Sequence, residues 1–428
     1  MADQTHVTPK INWVAVDVAK EWNAVLIETN EGHRHRFKML NNAADHDRLV
    51  AFLRGLSGDC RIALEPTGVY HRPLAYRLKT EGFEVLGISS VAQARYREAQ
   101  FGTWDKNDPK DAQVILSMLK QGLVQVYHDP LIAGNHDLQE LSGLYFQVTL
   151  ARTRVQHSLL THYLPLYFPE MHKYWNTTRA DWFIRLLWRF PTPAHVRALP
   201  REAFVVEAGS LIGRRVRKRA KLDDIYDMAH ASVGLPVATD SIAVETFRLQ
   251  LQRYQDLNAQ RTTLDQRAQQ LLAGHPQYAR LISLPGIGAI LALTILAEAG
   301  DLRRFKHYRQ FLKYCGLDLA KSQSGATRGK ERLSKRGNAR LRMAFWLAGL
   351  RAVHMTENAF RDKYERYLRG HPNDADTKRK ALTAVAAKMA RVAYAVIKKD
   401  QPYRRFFEQS LPSGSIPLTR AVEAMSTS

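Results

Sequence analysis

The chain has 428 residues, 45% of them hydrophobic, which is enough for about two to four domains with buried cores. Its 63 Lys and Arg outnumber its 41 acidic residues, and the net charge of +22 indicates a polyanionic partner, usually nucleic acid. Two cysteines and no apolar run of about 18 residues exclude a disulfide framework, a cysteine zinc site and a membrane-spanning helix.

The first part of the chain alternates strand and helix patterns. Its start, residues 1–6, is polar and lacks the apolar core of a signal peptide, so we expect a cytoplasmic protein with no membrane partner. We predict strands at 12–18, 22–29, 33–39, 61–65 and 83–89, and helices at 49–56, 69–80, 91–99 and 108–121. Three early strands followed by alternating helices and strands favour an α/β domain with a mixed sheet over residues 1–135.

Four carboxylates in this domain stand where a metal-dependent nuclease needs them. Asp17 and Glu65 each end an apolar strand segment. Asp108 and Asp111 lie one turn apart at the start of a predicted helix, where Asp108 alone could be an N-cap. Mg²⁺ prefers oxygen ligands, and two divalent ions about 4 Å apart can act on a phosphodiester. The four together predict a catalytic site for Mg²⁺, with Mn²⁺ as the alternative; Asp105, which precedes the helix, ranks below them.

The central region, residues 136–275, is predicted to be largely helical. Residues 138–162 are long and amphipathic, and 241–272 carry apolar residues at spacings of three, four or seven. These apolar positions are Val244, Phe247, Leu251, Tyr254, Leu257, Leu264, Ala268 and Leu271. The pattern predicts a coiled-coil-like arm.

A basic run at residues 213–221 lies between these two helices, and six of its nine residues are Arg or Lys. A solvated surface explains such a run as well as a contact with phosphates does. If it contacts nucleic acid, the candidate residues are Arg214, Arg215, Arg217, Lys218 and Arg219.

The last part of the chain is predicted to be a mainly helical unit over residues 276–400, followed by a flexible tail at 401–428. Apolar helices are expected at 341–353 and 381–397. Residues 281–295 match a helix-hairpin-helix pattern, in which Gly286 and Gly288 let the backbone approach a phosphate. A plain turn between two helices is the alternative.

A loop rich in serine, glycine and basic residues follows at 321–342. Its candidate phosphate ligands are Arg328, Lys330, Lys335 and Arg336. A serine here could attack phosphorus if a base or a metal ion activates it. No Gly-x-Ser-x-Gly elbow is present, so acyl chemistry is not indicated. By composition alone, a phosphate-binding loop with bystander serines is the better explanation.

Segments in both halves of the chain resemble the DEDD transposases of bacterial insertion sequences and the related Piv-type DNA invertases. The matching segments are VDVAK at 16–20, LEPTG at 64–68, NDPKDA at 107–112, LPGIG at 284–288, QSG at 323–325 and SKRGN at 334–338. The resemblance implies a RuvC-like first domain of the RNase H type. It also implies that this domain's metal ligands are Asp17, Glu65, Asp108 and Asp111.

The resemblance further implies a reactive serine in the C-terminal transposase domain, Ser324, with Ser322 as the fallback. This serine would form a covalent phosphoserine link with DNA at the element ends and at the target. A non-coding guide RNA would choose both DNA sites. Dimers, and a tetramer at the synapse, would bring the carboxylates of one subunit near the serine of another. Bound to DNA, the protein would be associated with the bacterial nucleoid.

The sequence departs from the family's usual pattern in two places, and three alternative functions remain open. Asn107 stands where the family often has Thr, and residues 165–240 are longer than is typical. A hydrolytic structure-specific nuclease, such as a junction resolvase, would need the carboxylates but not Ser324. A non-catalytic nucleic-acid-binding protein would need neither. An actin-like sugar kinase also has an aspartate after its first strand, but its glycine-rich phosphate loops are missing here.

Overall fold

The computed structural model describes most of the chain, in two units, Met1–His136 and Asp137–Ser428. The described residues are 10–102, 108–129, 131–175, 181–212, 218–320, 323–324, 327–328 and 332–405. Only the backbone is described at 108–109, 131–132, 218, 323–324 and 327–328. No described helix is both long and apolar enough to cross a membrane.

The described residues of the first unit form a six-stranded sheet and four α-helices. Its strands are β1 (Ile11–Asp17), β2 (Trp22–Glu28), β3 (Arg34–Leu40), β4 (Asp59–Leu64), β5 (Glu84–Gly87) and β6 (Gln125–Val126). Its helices are α1 (Ala43–Arg54), α2 (His71–Thr80), α3 (Ser90–Phe101) and α4 (Asp108–Lys120), with a π-helical turn at Leu131–Asn135.

The sheet is mixed, in the order β3-β2-β1-β4-β5-β6. β1, β2 and β3 form an antiparallel meander, whereas β4 and β5 run parallel to β1. β6 returns antiparallel to β5. The predicted mixed α/β domain is therefore confirmed.

Helix α1 begins at Ala43, six residues before the predicted start, because a polar first turn hides it in the hydrophobic pattern. The Asn42 side chain caps the helix by accepting a hydrogen bond from the Asp45 amide at 2.8 Å.

Alternating residues of the central strands bury both faces of the sheet. On one face, Val14, Val16 and Ile62 pack against α1 and α2. On the other face, Ala15 and Ala63 pack against the apolar side of α4. Small residues on the second face let α4 lie close to β1 and β4, and this closeness positions the candidate site.

The second unit is mostly helical. Its described α-helices are α5 (His136–Ser158), α6 (Leu164–Tyr167), α7 (Asp181–Arg189), α8 (Pro193–Arg197), α9 (Arg201–Ile212), α10 (Lys218–His230), α11 (Ile242–Leu272), α12 (Tyr278–Ile282), α13 (Ala289–Ala299), α14 (Tyr308–Cys315), α15 (Ala339–Ala352), α16 (Ala359–Leu368) and α17 (Ala375–Lys398). A π-helical turn spans Leu159–Tyr163, and 3₁₀ turns span Pro169–Tyr174 and Leu302–Arg304. Four two-residue strands are β7 (Leu319–Ala320), β8 (Gln323–Ser324), β9 (Thr327–Arg328) and β10 (Arg332–Leu333).

Helices α5 and α11 lie side by side and antiparallel. The Arg152 guanidinium lies 5.5 Å from the centre of the Tyr254 ring, and Arg261 donates a hydrogen bond to the Tyr145 hydroxyl at 2.7 Å. The two contacts are seven residues apart on each helix and run in opposite directions, as in an antiparallel helical arm.

One predicted position of the α11 stripe is wrong, because Leu271 is 38% exposed whereas Leu272 is fully buried. The buried residues near this end, Leu264, Ala268 and Leu272, follow each other in steps of four, which keep them on one helix face.

Two separate cores stabilise the second unit. The central core holds large aromatic residues from α7, α9 and α11, including Phe204 and Phe247. The C-terminal core brings together α13, α14, α15, α16 and α17 around Phe311, Phe345 and Phe360. The chain after α17 remains on this core as far as Tyr403, whose ring stacks on Phe360 at 5.5 Å between centroids.

Candidate functional site

Asp17 and Glu65 lie at the ends of two neighbouring parallel strands. β1 and β4 pair in register as far as Val16 opposite Leu64. Asp17 is the last residue of β1, and Glu65 directly follows β4. Neighbouring strands are about 4.8 Å apart. Because side chains alternate along a strand, both carboxylates point to the face of the sheet that α4 covers. Both residues are half-buried.

Helix α4 runs antiparallel to β1, which brings its first turn to the Asp17 end of the strand. At the far end of the helix, the Lys120 ammonium lies 2.5 Å from the Glu28 carboxylate. This hydrogen bond lowers the pKa of Glu28, more than the bond from Arg34 does. Glu28 pairs with Trp13 at the opposite end of β1 from Asp17. A helix of 13 residues is about 20 Å long, enough to span β1.

Asp111 lies in this first turn and is only 1% exposed. One of its carboxylate oxygens accepts a hydrogen bond from the Arg97 guanidinium at 2.5 Å. Its second oxygen, Oδ2, is buried and accepts no hydrogen bond from any residue that the structure describes. A buried oxygen without a donor is costly, and a bound cation is one way to satisfy it.

Arg97 is a site residue that the sequence analysis missed. It lies on α3, four residues after Gln93, and this spacing puts both side chains on one helix face. Gln93 is 2% exposed although it is polar, so the face that α3 turns inward is unusually polar. A polar pair at helical spacing was the only available indication, and it does not identify a partner.

The donor chemistry at this edge of the sheet fits a hard divalent cation. Asp17, Glu65 and Asp111 offer carboxylate oxygens, and the free Oδ2 of Asp111 is poised for one further bond. Within the described residues, however, no three His, Cys, Asp or Glu side chains form a group that could hold a metal ion. Asp108 begins α4, but its side chain lies outside the described part, as does the whole of Asp105.

The candidate serine lies on a β-hairpin in the second unit, which consists of two successive antiparallel strand pairs. β7 pairs with β10, and beyond them β8 pairs with β9, with Ser324 opposite Thr327. Ser324 is thus the last residue of β8 before the two-residue connection, although its side chain and all of Ser322 lie outside the described residues. At the base of the hairpin, the Ser334 hydroxyl donates a hydrogen bond to Asp318.

The segment that follows the hairpin presents two basic residues on a firmly held backbone. Lys335 and Arg336 are exposed. Gly337 has a φ of 140°, and a Cβ there would lie 2.6 Å from the Tyr314 carbonyl oxygen. Asn338 caps α15 and also donates to the Glu298 carboxylate at 2.6 Å. The side chain of Arg328 and all of Lys330 lie outside the described residues.

The two glycines of the turn between α12 and α13 have different surroundings. Gly286 has a φ of 89°, and a Cβ there would overlap the Ala348 carbonyl oxygen of α15. Its close backbone approach is therefore to a neighbouring helix. Gly288 precedes α13, is exposed, and has nothing within 4 Å of an added Cβ. Only the Gly288 side of the turn is open to a phosphate.

The basic run is mostly outside the described residues, which begin again at the backbone of Lys218. Arg214, Arg215 and Arg217 all fall in the gap. Arg219 donates to Glu202 at 2.8 Å and to Asp223 at 3.1 Å, so two carboxylates already engage its guanidinium.

Two family models match the chain, and together they cover more than half of it. The IS110 DEDD model, described as a transposase, matches residues 14–169. The model described as "Transposase IS116/IS110/IS902 family" matches residues 278–365. The first match includes all four candidate carboxylates, and the second includes Ser324 and both turn glycines.

Several individual proteins are also similar to this chain in sequence. The 43.6 kDa protein of insertion element IS110 from Streptomyces coelicolor is 25% identical, over 82% of this chain and 83% of the relative. The transposase for insertion sequence element IS1111A of Coxiella burnetii is 31% identical, over 29% of this chain and 34% of its own. A pilin gene-inverting protein of Moraxella bovis is 25% identical, over 33% of this chain and 44% of its own.

Proposed function

Because the chain belongs to the IS110-type transposases of insertion sequences, we propose that it mobilises such an element by cutting and rejoining DNA strands. One observation carries the proposal. Asp17 and Glu65 end neighbouring parallel strands, on the face covered by the helix whose first turn holds the buried Asp111. An edge of this kind can hold metal ions against a phosphodiester.

The domains of this proposal follow the two halves of the family match. Residues 1–135 form the catalytic domain, and its RuvC-like, RNase H-type fold is supported by the meander followed by two parallel strands. Residues 136–275 form a helical linker with the α5–α11 arm. Residues 276–400 form the transposase domain, in which the α12–α13 turn acts as a helix-hairpin-helix that contacts DNA through Gly288.

Asp17, Glu65, Asp108 and Asp111 are the proposed ligands of Mg²⁺ or Mn²⁺. A divalent cation bound there would supply Lewis-acid stabilisation of charge on the phosphodiester oxygens. The residues themselves have separate tasks. The sheet fixes Asp17 and Glu65 through backbone pairing, and Arg97 orients Asp111 so that only one of its oxygens remains free.

Ser324 is the proposed nucleophile. Its hydroxyl oxygen forms a bond to phosphorus while the bond from phosphorus to one DNA sugar oxygen breaks, and the hydroxyl proton passes to that leaving oxygen. Rejoining reverses this exchange with the sugar hydroxyl of a different strand. The phosphoserine link conserves the bond energy, so no high-energy cofactor is required. Lys335 and Arg336 are the proposed ligands of neighbouring phosphates, and their exposure beside the hairpin supports this role.

A non-coding guide RNA is the proposed second nucleic acid, and dimers that pair into a tetramer at the synapse are the proposed assembly. The net charge of +22 supports binding to polyanions, a class to which both DNA and RNA belong.

A covalent-trap assay tests the mechanism. The protein is expressed with the flanking non-coding DNA of its element, mixed with labelled junction DNA and Mg²⁺, and run on a denaturing gel. We expect a DNA–protein adduct that is lost in Ser324→Ala and in Asp17→Ala. Ser210→Ala, an exposed serine of α9, and Asp59→Ala, at the opposite end of the sheet from Asp17, are the controls and keep the adduct.

Other results of this assay identify the alternatives. Cleaved DNA without an adduct, unchanged by Ser324→Ala, would replace the transposition mechanism with a hydrolytic nuclease. An adduct lost in Ser322→Ala but kept in Ser324→Ala would move the nucleophile to Ser322. DNA binding without cleavage in any condition would leave only a binding protein.

A further inference from the structure

Four basic side chains and one tyrosine line an open pocket between α16 and α17. Lys363, Arg366 and Tyr367 come from α16, at the i, i+3 and i+4 positions of one helix face. Lys388 and Arg391 come from α17, again three residues apart. Its volume of about 520 Å³ is within the usual range of small-molecule ligand pockets. We call it the α16–α17 pocket.

None of these four basic side chains forms an ion pair with a carboxylate of the residues that the structure describes, although the charge of Asp362 partly offsets that of Lys388. Lys388 donates to the Ala359 carbonyl oxygen at 2.6 Å, and Arg366 donates to that of Asp362 at 3.3 Å. Other basic residues of the same helices do form ion pairs. Arg361 lies 2.7 Å from Glu365 on α16, and Lys380 lies 2.5 Å from Asp376 on α17. The pocket thus gathers four basic side chains that have no ion-pair partner among the described residues, on helices where other basic residues do have one.

The charged state of the two lysines is costly in the free protein. Burial lowers the pKa of Lys363, and the positive charges of Arg391 and Arg366 lower it further. Burial also lowers the pKa of Lys388, followed by the charges of Lys363, Arg366 and Arg391, whereas the charge of Asp362 raises it. An anion in the pocket would relieve this repulsion, whereas packing alone gives no reason to hold four like charges together.

The exposed ring of Tyr367 indicates which kind of anion the pocket binds. Tyr367 is 46% exposed, and the Lys363 ammonium lies 6.0 Å from the centre of its ring. An exposed aromatic ring beside a cluster of cations can stack an unpaired base while the cations hold the backbone phosphates. Bases in a duplex are already stacked and paired, so a duplex would use the cations without using the ring.

We propose that the α16–α17 pocket binds a phosphodiester of single-stranded nucleic acid, with the adjoining unpaired base stacked on Tyr367. The inference rests on the proposed function only in taking nucleic acid as the partner. It does not involve the carboxylates or Ser324, so it can fail while the strand-transfer mechanism holds, and the reverse is also true.

A pair of double variants with the same change in charge tests the proposal. Lys363→Gln with Arg391→Gln removes two positive charges from the pocket, and Arg361→Gln with Lys380→Gln removes two paired charges from the same helices. Lys388 is left intact because its bond to Ala359 links α16 to α17. Thermal melting of the full chain checks that both variants fold. Binding is measured by fluorescence anisotropy with oligodeoxythymidine, oligouridine and a DNA duplex at several salt concentrations.

We expect the pocket variant to bind the single strands about tenfold more weakly, with a salt slope smaller by about 0.7 for the one lost phosphate contact. The control variant should bind like the wild type. Tyr367→Ala should weaken single-strand binding by about tenfold without changing the salt slope, and Tyr367→Phe should restore it. The deoxy and ribo oligonucleotides together show whether the strand is DNA or RNA.

Equal losses in the pocket and control variants would overturn the proposal, because the effect would then follow net charge alone. An equal loss for duplex and single strands, with no effect of Tyr367→Ala, would overturn it as a single-strand site. If the wild-type protein formed no DNA–protein adduct in the trap assay but its pocket still bound single strands as expected, the proposed function would be overturned and the pocket proposal would stand.

Discussion

At the scale of single residues, Asp111 is buried and yet one of its carboxylate oxygens has no described hydrogen-bond donor. Its one described partner is Arg97, whose side chain is 16% exposed, while Oδ2 has no donor among the described residues. A buried carboxylate in this state depends on its cationic partner, because an uncompensated charge in the interior is destabilising. The pair therefore stabilises the first unit and also prepares one oxygen for a cation.

Replacing Arg97 by leucine tests both roles. We expect Arg97→Leu to lower the free energy of unfolding by about 3 kcal/mol, since Asp111 is left charged and buried. Adding Mg²⁺ should recover more stability in this variant than in the wild type, because the cation would then be the main neutralising charge. Denaturant unfolding with and without Mg²⁺ measures the difference.

Two further variants serve as comparisons for Arg97→Leu. Arg95→Leu, an exposed arginine of the same helix, should leave stability close to that of the wild type. Adding Asp111→Asn to Arg97→Leu should recover much of the loss and remove the response to Mg²⁺. A single Arg97→Leu variant as stable as the wild type would show that the ion pair does not support the fold.

The two glycines of the α12–α13 turn should respond differently to alanine. Gly286→Ala should destabilise the protein by about 2 kcal/mol or more, because φ is positive and the methyl group overlaps α15. Gly288→Ala should leave the melting temperature nearly unchanged and weaken DNA binding. Gly274→Ala, which meets nothing within 4 Å, is the matched control for stability. A melting temperature lowered equally by all three would contradict this division.

At the scale of secondary-structure elements, the sequence predicted best where the hydrophobic pattern is strong. The strands β1 to β5 lie within two residues of their predicted bounds. β1, β2 and β4 are mostly apolar or β-branched, whereas β3 has Arg, His or Lys at four of its seven positions and is largely exposed. The polar first turn of α1 and the two-residue strand β6 have no such pattern. Leu272 rather than the predicted Leu271 is buried because the spacing of the buried residues changes along α11. Near the start of the helix they follow in steps of three and four, and near its end in steps of four.

The candidate site could be predicted only in part, for a physical reason. Asp17, Glu65 and Asp111 each follow a recognisable local pattern, so the sequence could identify them one at a time. Arg97 became identifiable only when α3 and α4 packed together, since its partner is 14 residues away on another helix. The α16–α17 pocket likewise needs two helices to meet, because each helix supplies only two of its four basic side chains.

Helix α8 in the central core should make stability depend on pH. His195 is 9% exposed, and its Nδ1 lies 2.8 Å from the Thr192 hydroxyl. Burial, followed by the charges of Arg248 and Arg189, lowers its pKa from 6.5 to about 4. The unfolded chain takes up a proton near pH 6.5 while the folded chain does not. Stability is therefore full above pH 6.5 and falls as the pH decreases towards about 4.

The His195→Gln variant should lose this pH dependence. We expect its unfolding midpoint to change less between pH 6.5 and 4 than that of the wild type, as followed by circular dichroism in denaturant. His172→Gln, an exposed histidine of the same unit, should behave like the wild type. A His195→Gln variant with an unchanged pH profile would assign the acid sensitivity to other groups.

At the scale of the whole molecule, the proposed chemistry is divided between the two units. The carboxylates lie in Met1–His136, whereas Ser324 lies in Asp137–Ser428. A separation of this kind allows one active site to be built from two subunits, as the proposed dimer requires. In the other arrangement, the carboxylates and Ser324 of one and the same subunit would meet at a phosphodiester.

Mixed dimers distinguish these two arrangements. Asp17→Ala and Ser324→Ala chains are co-expressed with different tags, and the dimers that carry both tags are purified. If sites form between subunits, the intact carboxylates of one chain meet the intact serine of the other, and each mixed dimer has one working site. We expect such dimers to form the DNA–protein adduct that neither variant forms alone. Asp17→Ala mixed with Glu65→Ala is the matched control and should stay inactive, because both carboxylate edges are then damaged. Inactive Asp17→Ala and Ser324→Ala mixtures, in dimers that still bind junction DNA, would place both groups of each site in one subunit.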